Sequence, residues 1–241
     1  MKHSPTMNPL LILIPTVLLA QSGVTTPSIG FILDRTGGIR PVSGLAGNFL
    51  VQRSVLNGVL SFSCSSSTCV AKTENALAAS GASFPAPSGP ALISLDAAGA
   101  AVYFRQTGQF ARLENGALKM LDVNVPGEVL AVGAGLRIAV RRENGVWIVG
   151  SSGSILDSLP PDTQAVLLGS DSIVYATANE LALRRSGGIE QRFPASGIRD
   201  VYAVSDEWVE GCARFATFAL RTAAGREALY VLPEPAGRPR R

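Results

Sequence analysis

The feature that most constrains the fold of this chain is an internal repeat with a period of 36 residues. Frames that begin at Ile93, Val129, Ala165 and Val201 each open with four β-prone residues. A short break of small or polar residues follows each opening, at 97–100, 133–135, 169–171 and 205–207. Self-similarity at a fixed period of this size is typical of repeat architectures, in which each frame forms one structural unit.

Three more strand-like runs follow in each frame. The second runs are 102–104, 138–140, 173–175 and 208–209, the third are 110–113, 146–149, 181–183 and 218–220, and the weaker fourth are 118–121, 155–156, 189–193 and 229–232. Strands spaced about nine residues apart with Gly-rich turns predict an all-β architecture. Four strands in each frame of this length predict a β-propeller whose blades are the frames.

The number of blades depends on the first two frames, 57–92 and 21–56. Both contain strand-like runs, but the frame 21–56 lacks a clear fourth strand. Residues 21–236 contain six frames, so we predict a single propeller domain of six blades. The alternative is five blades with an N-terminal strand that pairs with the last blade. In either case the two ends of the domain must meet, because an open ring would expose sheet edges.

The repeat also resembles a known group of proteins. The order of a β tetrad, a short Asp/Ser/Gly turn and further β runs is similar to the short-blade repeats of extracytoplasmic bacterial propellers, relatives of WD40 and YVTN-type repeats. The segment 95–102 is similar to the first hairpin of that repeat, and 31–35 with 39–42 resembles the opening of secreted proteins of this kind. The usual proline of that hairpin is missing, and neither Gly-His nor Trp-Asp signatures occur. The resemblance implies an architecture and carries no function with it.

The first twenty residues read as an export signal. Lys2 lies in a short polar start, and the apolar run 10–20 ends at small residues. This run is too short to span a bilayer as a helix, and Pro15 interrupts it. We therefore predict that residues 1–20 are removed near Gln21, giving a periplasmic or secreted chain with no transmembrane segment. An uncleaved anchor is the alternative.

The positive charge of the chain is concentrated near its C-terminus. The formal net charge is +3, but three arginines lie in the last four positions. Without them and without Lys2, the chain has 17 basic and 18 acidic side chains. A nucleic-acid-binding protein would carry a basic face on its fold, so we predict no nucleic-acid partner. Residues 237–241 are interpreted as a disordered basic tail, with contact to a membrane surface or polyanion as the alternative.

Two of the three cysteines are placed to form a disulfide. Cys64 and Cys69 bracket a polar turn between two β-rich runs, where facing residues of a hairpin come close together. A metal site would need a histidine or a second cysteine pair to complete it, so we predict a disulfide and no metal. Cys212 is expected to be a buried free thiol.

The absence of histidine from the mature chain excludes several kinds of chemistry. His3 is the only histidine and lies in the predicted signal, which removes Ser-His-Asp catalysis and histidine-built metal sites. No phosphate-binding loop or calcium-binding spacing occurs, so no cofactor is predicted. We expect a monomeric, non-catalytic binding or scaffold module for a protein or a cell-envelope polymer. The alternatives are a hydrolase that acts on an extracellular glycan through carboxylates in the funnel, and a surface-structural protein held by the basic tail.

The candidate ligand-binding residues are arginines that lie near the ends of the second or third runs: Arg105, Arg141, Arg184 and Arg221. Equivalent positions in a propeller lie on the same face, so these residues are predicted to line an anion-accepting rim. The alternative is that they are solvated, with their stems packed over apolar surface. Trp147 and Trp208 are expected to fill the core or a blade interface rather than to stack on sugars.

Overall fold

The computed structural model describes residues 28–45, 48–65, 68–185, 188 and 190–204, and the backbone of three further strands within 208–233. The predicted signal, the tail 237–241 and Cys212 lie outside the described residues. Within the described part the chain is almost entirely β-structure, with one short 3₁₀ turn at Ala134–Leu136. No helix in this part is long and apolar enough to cross a membrane.

The strands form sheets in chain order. A three-stranded sheet contains β1 (Ser28–Leu33), β2 (Ile39–Leu45) and β3 (Asn48–Val51). The next sheets are β4 (Ser61–Cys64), β5 (Cys69–Lys72), β6 (Ala76–Ala79) and β7 (Ala82–Pro85), then β8 (Ala91–Asp96), β9 (Gly99–Phe104), β10 (Gln109–Glu114) and β11 (Ala117–Leu121). They are followed by β12 (Glu128–Gly133), β13 (Arg137–Arg142), β14 (Gly145–Val149) and β15 (Ile155–Leu159), then β16 (Ala165–Leu168), β17 (Ser172–Ala176), β18 (Glu180–Arg185) and β19 (Glu190–Pro194). The last sheet contains β20 (Ile198–Ala203), β21 (Trp208–Glu210), β22 (Ala213–Thr222) and β23 (Glu227–Pro233).

This arrangement confirms the β-propeller with five four-stranded blades, which was the smaller of the two predicted numbers. Every strand-like run of the frames from Ile93 onward overlaps a strand. Among the described residues the first frame forms three strands and not the predicted sixth four-stranded blade, because the segment after β3 stays beside β2 and does not turn back to pair with β3. After β3, residues 52–56 continue alongside β2, with Gln52 N donating to Pro41 O at 2.9 Å and Ile39 N to Leu56 O at 2.8 Å. The next blade then begins at Ser61.

The last blade departs from a simple meander. β20 and β21 lie along the same edge of the long strand β22, in the pairs Val201↔Leu220 and Val209↔Arg214. β23 pairs with the other edge of β22. The run 208–209 therefore prolongs the first strand of this blade instead of forming a separate second strand beside it.

The three-stranded sheet joins the two ends of the propeller. Phe31 N donates to the carbonyl oxygen of Val204, directly after β20, at 3.0 Å, and Val59 N donates to Gly37 O at 2.9 Å, just before β4. Gly30 makes the first contact feasible, because its φ is +143° and a Cβ atom there would lie 1.8 Å from Val204 O. The ring is thus closed by non-covalent contacts among the described residues.

The apolar core lies between neighbouring blades. Phe110 of one blade packs with Ile138 and Val140 of the next, and Trp147 packs against the same cluster. Val146 and Ile148 pack in turn with Tyr175 of the following blade. Alternation along each strand places these side chains on the faces that neighbouring sheets cover.

Candidate functional site

Strand direction defines two ends of each blade. We call the end at which the first strand of a blade begins the leading end, and the end at which it finishes the trailing end. The turn between the second and third strands also lies at the leading end. Arg105 directly follows β9, and Arg141 lies near the end of β13, so both are at the leading end. Arg184 lies near the end of β18, a third strand, and is therefore at the trailing end. The backbone of Arg221 pairs with Asp200 near the start of β20, and nothing is described of its side chain. Arg184 thus lies at the opposite end from Arg105, Arg141 and the backbone of Arg221, and the four arginines do not share one rim.

Arg141 connects two blades. Its Nη1 contacts Glu128 Oε2 at 2.6 Å, and its Nη2 donates to Thr163 O, in the loop that leads into the next blade, at 2.6 Å. Arg105 is exposed, and no ion pair to a described residue forms there. The two arginines occupy equivalent positions, but the strand residue opposite Arg141 is Glu128, whereas Arg105 lies opposite Pro90.

Arg184 lies in a cluster of charges between two blades. Its Nε donates to Glu190 Oε2 at 2.8 Å in its own blade, and its Nη1 contacts both oxygens of Asp157, on the outer strand of the preceding blade, at 3.2 Å. The same Nη1 donates to Ser158 O at 3.0 Å, and the guanidinium lies 5.6 Å from the centre of the Tyr175 ring. The Nε and Nη1 donors of Arg184 are therefore directed at protein oxygens.

The electrostatics of this cluster favour ionised carboxylates. Burial alone would raise the pKa of Glu190, but hydrogen bonds from Arg184 and Arg192 outweigh it, and the pKa lies below its usual value. Asp96 behaves similarly: burial opposes ionisation, while Arg112 at 2.5 Å and the backbone N–H of Gly135 in the next blade lower its pKa. Acid catalysis requires a carboxyl with a raised pKa, and the displaced carboxyl pKa values in the described part are all lowered.

The disulfide predicted from the sequence is present. Cys64 and Cys69 face each other at the end of the β4–β5 hairpin and are bonded. Ser65 N donates to Thr68 O at 2.7 Å within the enclosed turn. No group of three or more potential metal ligands occurs in the part of the chain that the structure describes.

A strip of exposed apolar side chains is the most unusual surface feature of the described residues. Of eight large exposed hydrophobic side chains there, five belong to β3 and the segment that follows it: Leu50, Val51, Val55, Leu56 and Leu60. We call these five residues the β3 strip. Leu50 is 61% exposed and Val55 64% exposed. Single exposed hydrophobic residues are ordinary, but five within residues 50–60 indicate a candidate interaction surface.

The β3 strip lies at an open sheet edge. β3 is the outermost strand of its sheet and pairs with β2 on one side, and no described residue pairs with its other side. Its neighbours are basic: Arg40 Nε donates to Gln52 O at 2.7 Å, and Arg53 is exposed. Asp34 is the single acidic residue within 28–60, and its carboxylate accepts hydrogen bonds from the backbone of Thr36 and Gly38.

Sequence reasoning missed this surface because it searched for charged and titratable residues. The two signals that could have found it are the missing fourth strand of the frame 21–56 and the density of apolar residues within 49–60.

No protein-family model matches the chain, and no curated protein matches it. Solved structures with a similar fold include PorZ, an essential surface component of the type-IX secretion system of Porphyromonas gingivalis, at 15% identity and a TM-score of 0.49 over 86% of this chain and 31% of that chain. AztD from Citrobacter koseri is similar at 13% identity and a TM-score of 0.43, over 86% of this chain and 72% of that one. The Pan2 WD40 domain of Neurospora crassa is similar at 7% identity and a TM-score of 0.45, over 87% and 80%. This chain spans about a third of PorZ, and likenesses at this level carry no argument about function.

Proposed function

We propose that this chain is an exported, non-catalytic propeller that binds a protein partner through the β3 strip. The observation that carries the proposal is the concentration of exposed apolar side chains beside an open strand edge. Exposed apolar area of this kind costs solubility unless a partner covers it. The Cys64–Cys69 disulfide supports export, because such bonds persist in oxidising compartments.

In this proposal Arg141 and Arg184 have a structural role and do not bind the partner. Arg141 and Arg184 hold neighbouring blades together, so the ring presents its surface on a rigid frame. A rigid scaffold lowers the entropy lost when a partner binds. No observation favours the glycan hydrolase, since Asp157 and Glu190 share one arginine and the pKa of Glu190 is lowered.

The experiment compares three forms of the mature chain, 21–241, immobilised and exposed to an envelope extract of the source cells. The strip variant carries Leu50→Asn and Val55→Asn. The matched control carries Met120→Asn and Ile155→Asn, whose side chains are 50% and 57% exposed on the outer strands of other blades.

A protein retained by the wild type and the control, and reduced about tenfold by the strip variant, is the expected result, corresponding to about 1.4 kcal/mol of binding free energy. Equal recovery of every captured protein by the two variants would overturn the assignment of the strip. Export is tested separately by N-terminal sequencing of the protein from cells, with a start near Gln21 expected and intact Met1 contradicting it.

A further inference from the structure

The pairing of β2 and β3 determines which backbone groups point toward the open edge. In an antiparallel pair, alternate residues direct their N–H and C=O groups toward the neighbouring strand and away from it. Gln52 N donates to Pro41 O at 2.9 Å, and the register pairs Val51 with Val42 and Leu50 with Ser43. The backbone N–H and C=O groups of Leu50 therefore point toward β2, while those of Phe49 and Val51 point toward the open edge.

These outward groups lie where a complete blade would have another strand. Four other blades of the described part are meanders of four strands, and the sheet of β1–β3 stops at three. Phe49 packs inward against Val42 and Val204, which fixes the strand in place. The edge is thus a preformed template with two donors and two acceptors spaced for one more strand.

The charges beside the edge indicate what the added strand carries. The guanidinium of Arg40 is held at Gln52, at the end of β3, and Arg53 is the next residue. The one nearby carboxylate of the segment 28–60, that of Asp34, is already hydrogen-bonded within its own turn. An acidic residue of a partner strand placed beside Arg40 and Arg53 would favour that partner, and that register of pairing, over others.

We propose that the edge of β3 accepts an extended, apolar segment of another protein, with acidic residues at one end, as the fourth strand of this sheet. This inference rests on the proposed function and specifies how the β3 strip is used. Backbone hydrogen bonds to Phe49 and Val51 hold the segment, its apolar side chains cover Leu50 and Val51, and its acidic end faces Arg40 and Arg53. Strand addition of this type combines backbone affinity with side-chain specificity.

The probe is an array of ten-residue peptides whose central residues are apolar and β-prone, with glutamate pairs at both ends. A matched array carries lysine pairs instead. Binders from the array are measured in solution against the wild type, Val51→Pro and Val51→Thr. Proline removes the outward N–H while leaving the bonds between β3 and β2 intact, and proline is tolerated at such edge positions. Val51→Thr keeps the N–H and is the matched control.

We expect glutamate-ended peptides to bind at least about tenfold more tightly than lysine-ended ones, Val51→Thr to retain binding, and Val51→Pro to lose it. On the wild-type protein, a bound peptide should slow amide hydrogen exchange at Phe49 and Val51. This second measurement decides the question if Val51→Pro does not fold.

Four results would overturn strand addition: no preference for acidic ends, full binding by folded Val51→Pro, slow exchange at Phe49 and Val51 in the free protein, or slow exchange that appears only as protein concentration rises. The third result would mean that another segment of this chain covers the edge, and the fourth that a second copy does. A strip-dependent partner that leaves these two amides unprotected would keep the proposed function and overturn strand addition alone. Absence of any strip-dependent partner would overturn the proposed function itself.

Discussion

Replacing Arg184 with methionine tests whether this residue holds two blades together or serves as part of an anion-binding rim. Arg184 donates to Glu190 at 2.8 Å, to Asp157 at 3.2 Å and to Ser158 O at 3.0 Å. Hydrogen bonds to charged groups contribute about 1.5–3 kcal/mol when buried, and exposed ion pairs contribute about 0.2–1 kcal/mol. Because the Arg184 side chain is 24% exposed, we expect a loss of about 2–3 kcal/mol in the free energy of unfolding.

The assay is urea unfolding followed by circular dichroism, with Lys119→Met as the control. Lys119 is 61% exposed and pairs with Glu114 at 2.9 Å, so its replacement should cost less than about 0.5 kcal/mol. The expected result for Arg184→Met is a lower midpoint with an unchanged slope. Equal midpoints for the two variants would refute the structural role of Arg184. Phosphate binding by the wild type that Arg184→Met abolishes would instead support the predicted anion-binding role.

Three further predictions concern the closure of the ring, the disulfide and acid stability. Gly30→Ala should lower the free energy of unfolding by about 3 kcal/mol, because the new Cβ would overlap a carbonyl oxygen of the last blade. The control Gly153→Ala, with open space around it, should lower it by about 1 kcal/mol. Thermal unfolding compares the two variants, and equal losses would contradict the closure contact. Reduction of the β4–β5 disulfide should add two daltons to the intact mass, raise the thiol count from one to three, and destabilise the fold by about 2 kcal/mol; an unchanged mass would show that the bond is absent. Because the pKa of Glu190 is lowered in the folded state, the unfolded chain takes up the proton first, and the stability from this group is lost as pH falls from about 5 through the folded pKa. Glu190→Gln should therefore show a smaller fall in melting temperature over that range, and identical pH profiles would count against the cluster.

The blades were predictable from the sequence because each strand shows its own local signal. A β-prone run, a small polar turn and a second run are visible without any knowledge of contacts, and the runs beginning at Ile93, Val129 and Ala165 all lie on first strands. The period itself is an average, since consecutive blades begin at Ser61, Ala91, Glu128, Ala165 and Ile198. Counting frames over this average gave one four-stranded blade too many.

The partners of the charged residues were not predictable, because they depend on which residue lies opposite in space. Arg105 and Arg141 are equivalent by position, yet only Arg141 faces a carboxylate across the strand pair. Arg184 reaches Asp157 across a blade boundary, 27 residues earlier in the chain. A repeat period gives the end of the blade on which a residue lies only when its strand direction is also known. The strand of Arg184 runs opposite, within its blade, to the strands of the other three arginines.

The pair Gly133↔Leu168 makes β12–β15 and β16–β19 one continuous eight-stranded sheet. A closed ring of repeats resembles a circular chain of coupled units, in which partial unfolding starts at the weakest junction. Among the described residues, a single backbone hydrogen bond, from Phe31 N to Val204 O, joins the three-stranded sheet to the last blade, whereas the shared sheet adds a strand pair that Arg141 reinforces. Mild denaturation should therefore open the ring at the three-stranded sheet and leave the two fused blades as the last folded unit, so that they, rather than either terminus, form the nucleus from which the propeller reassembles.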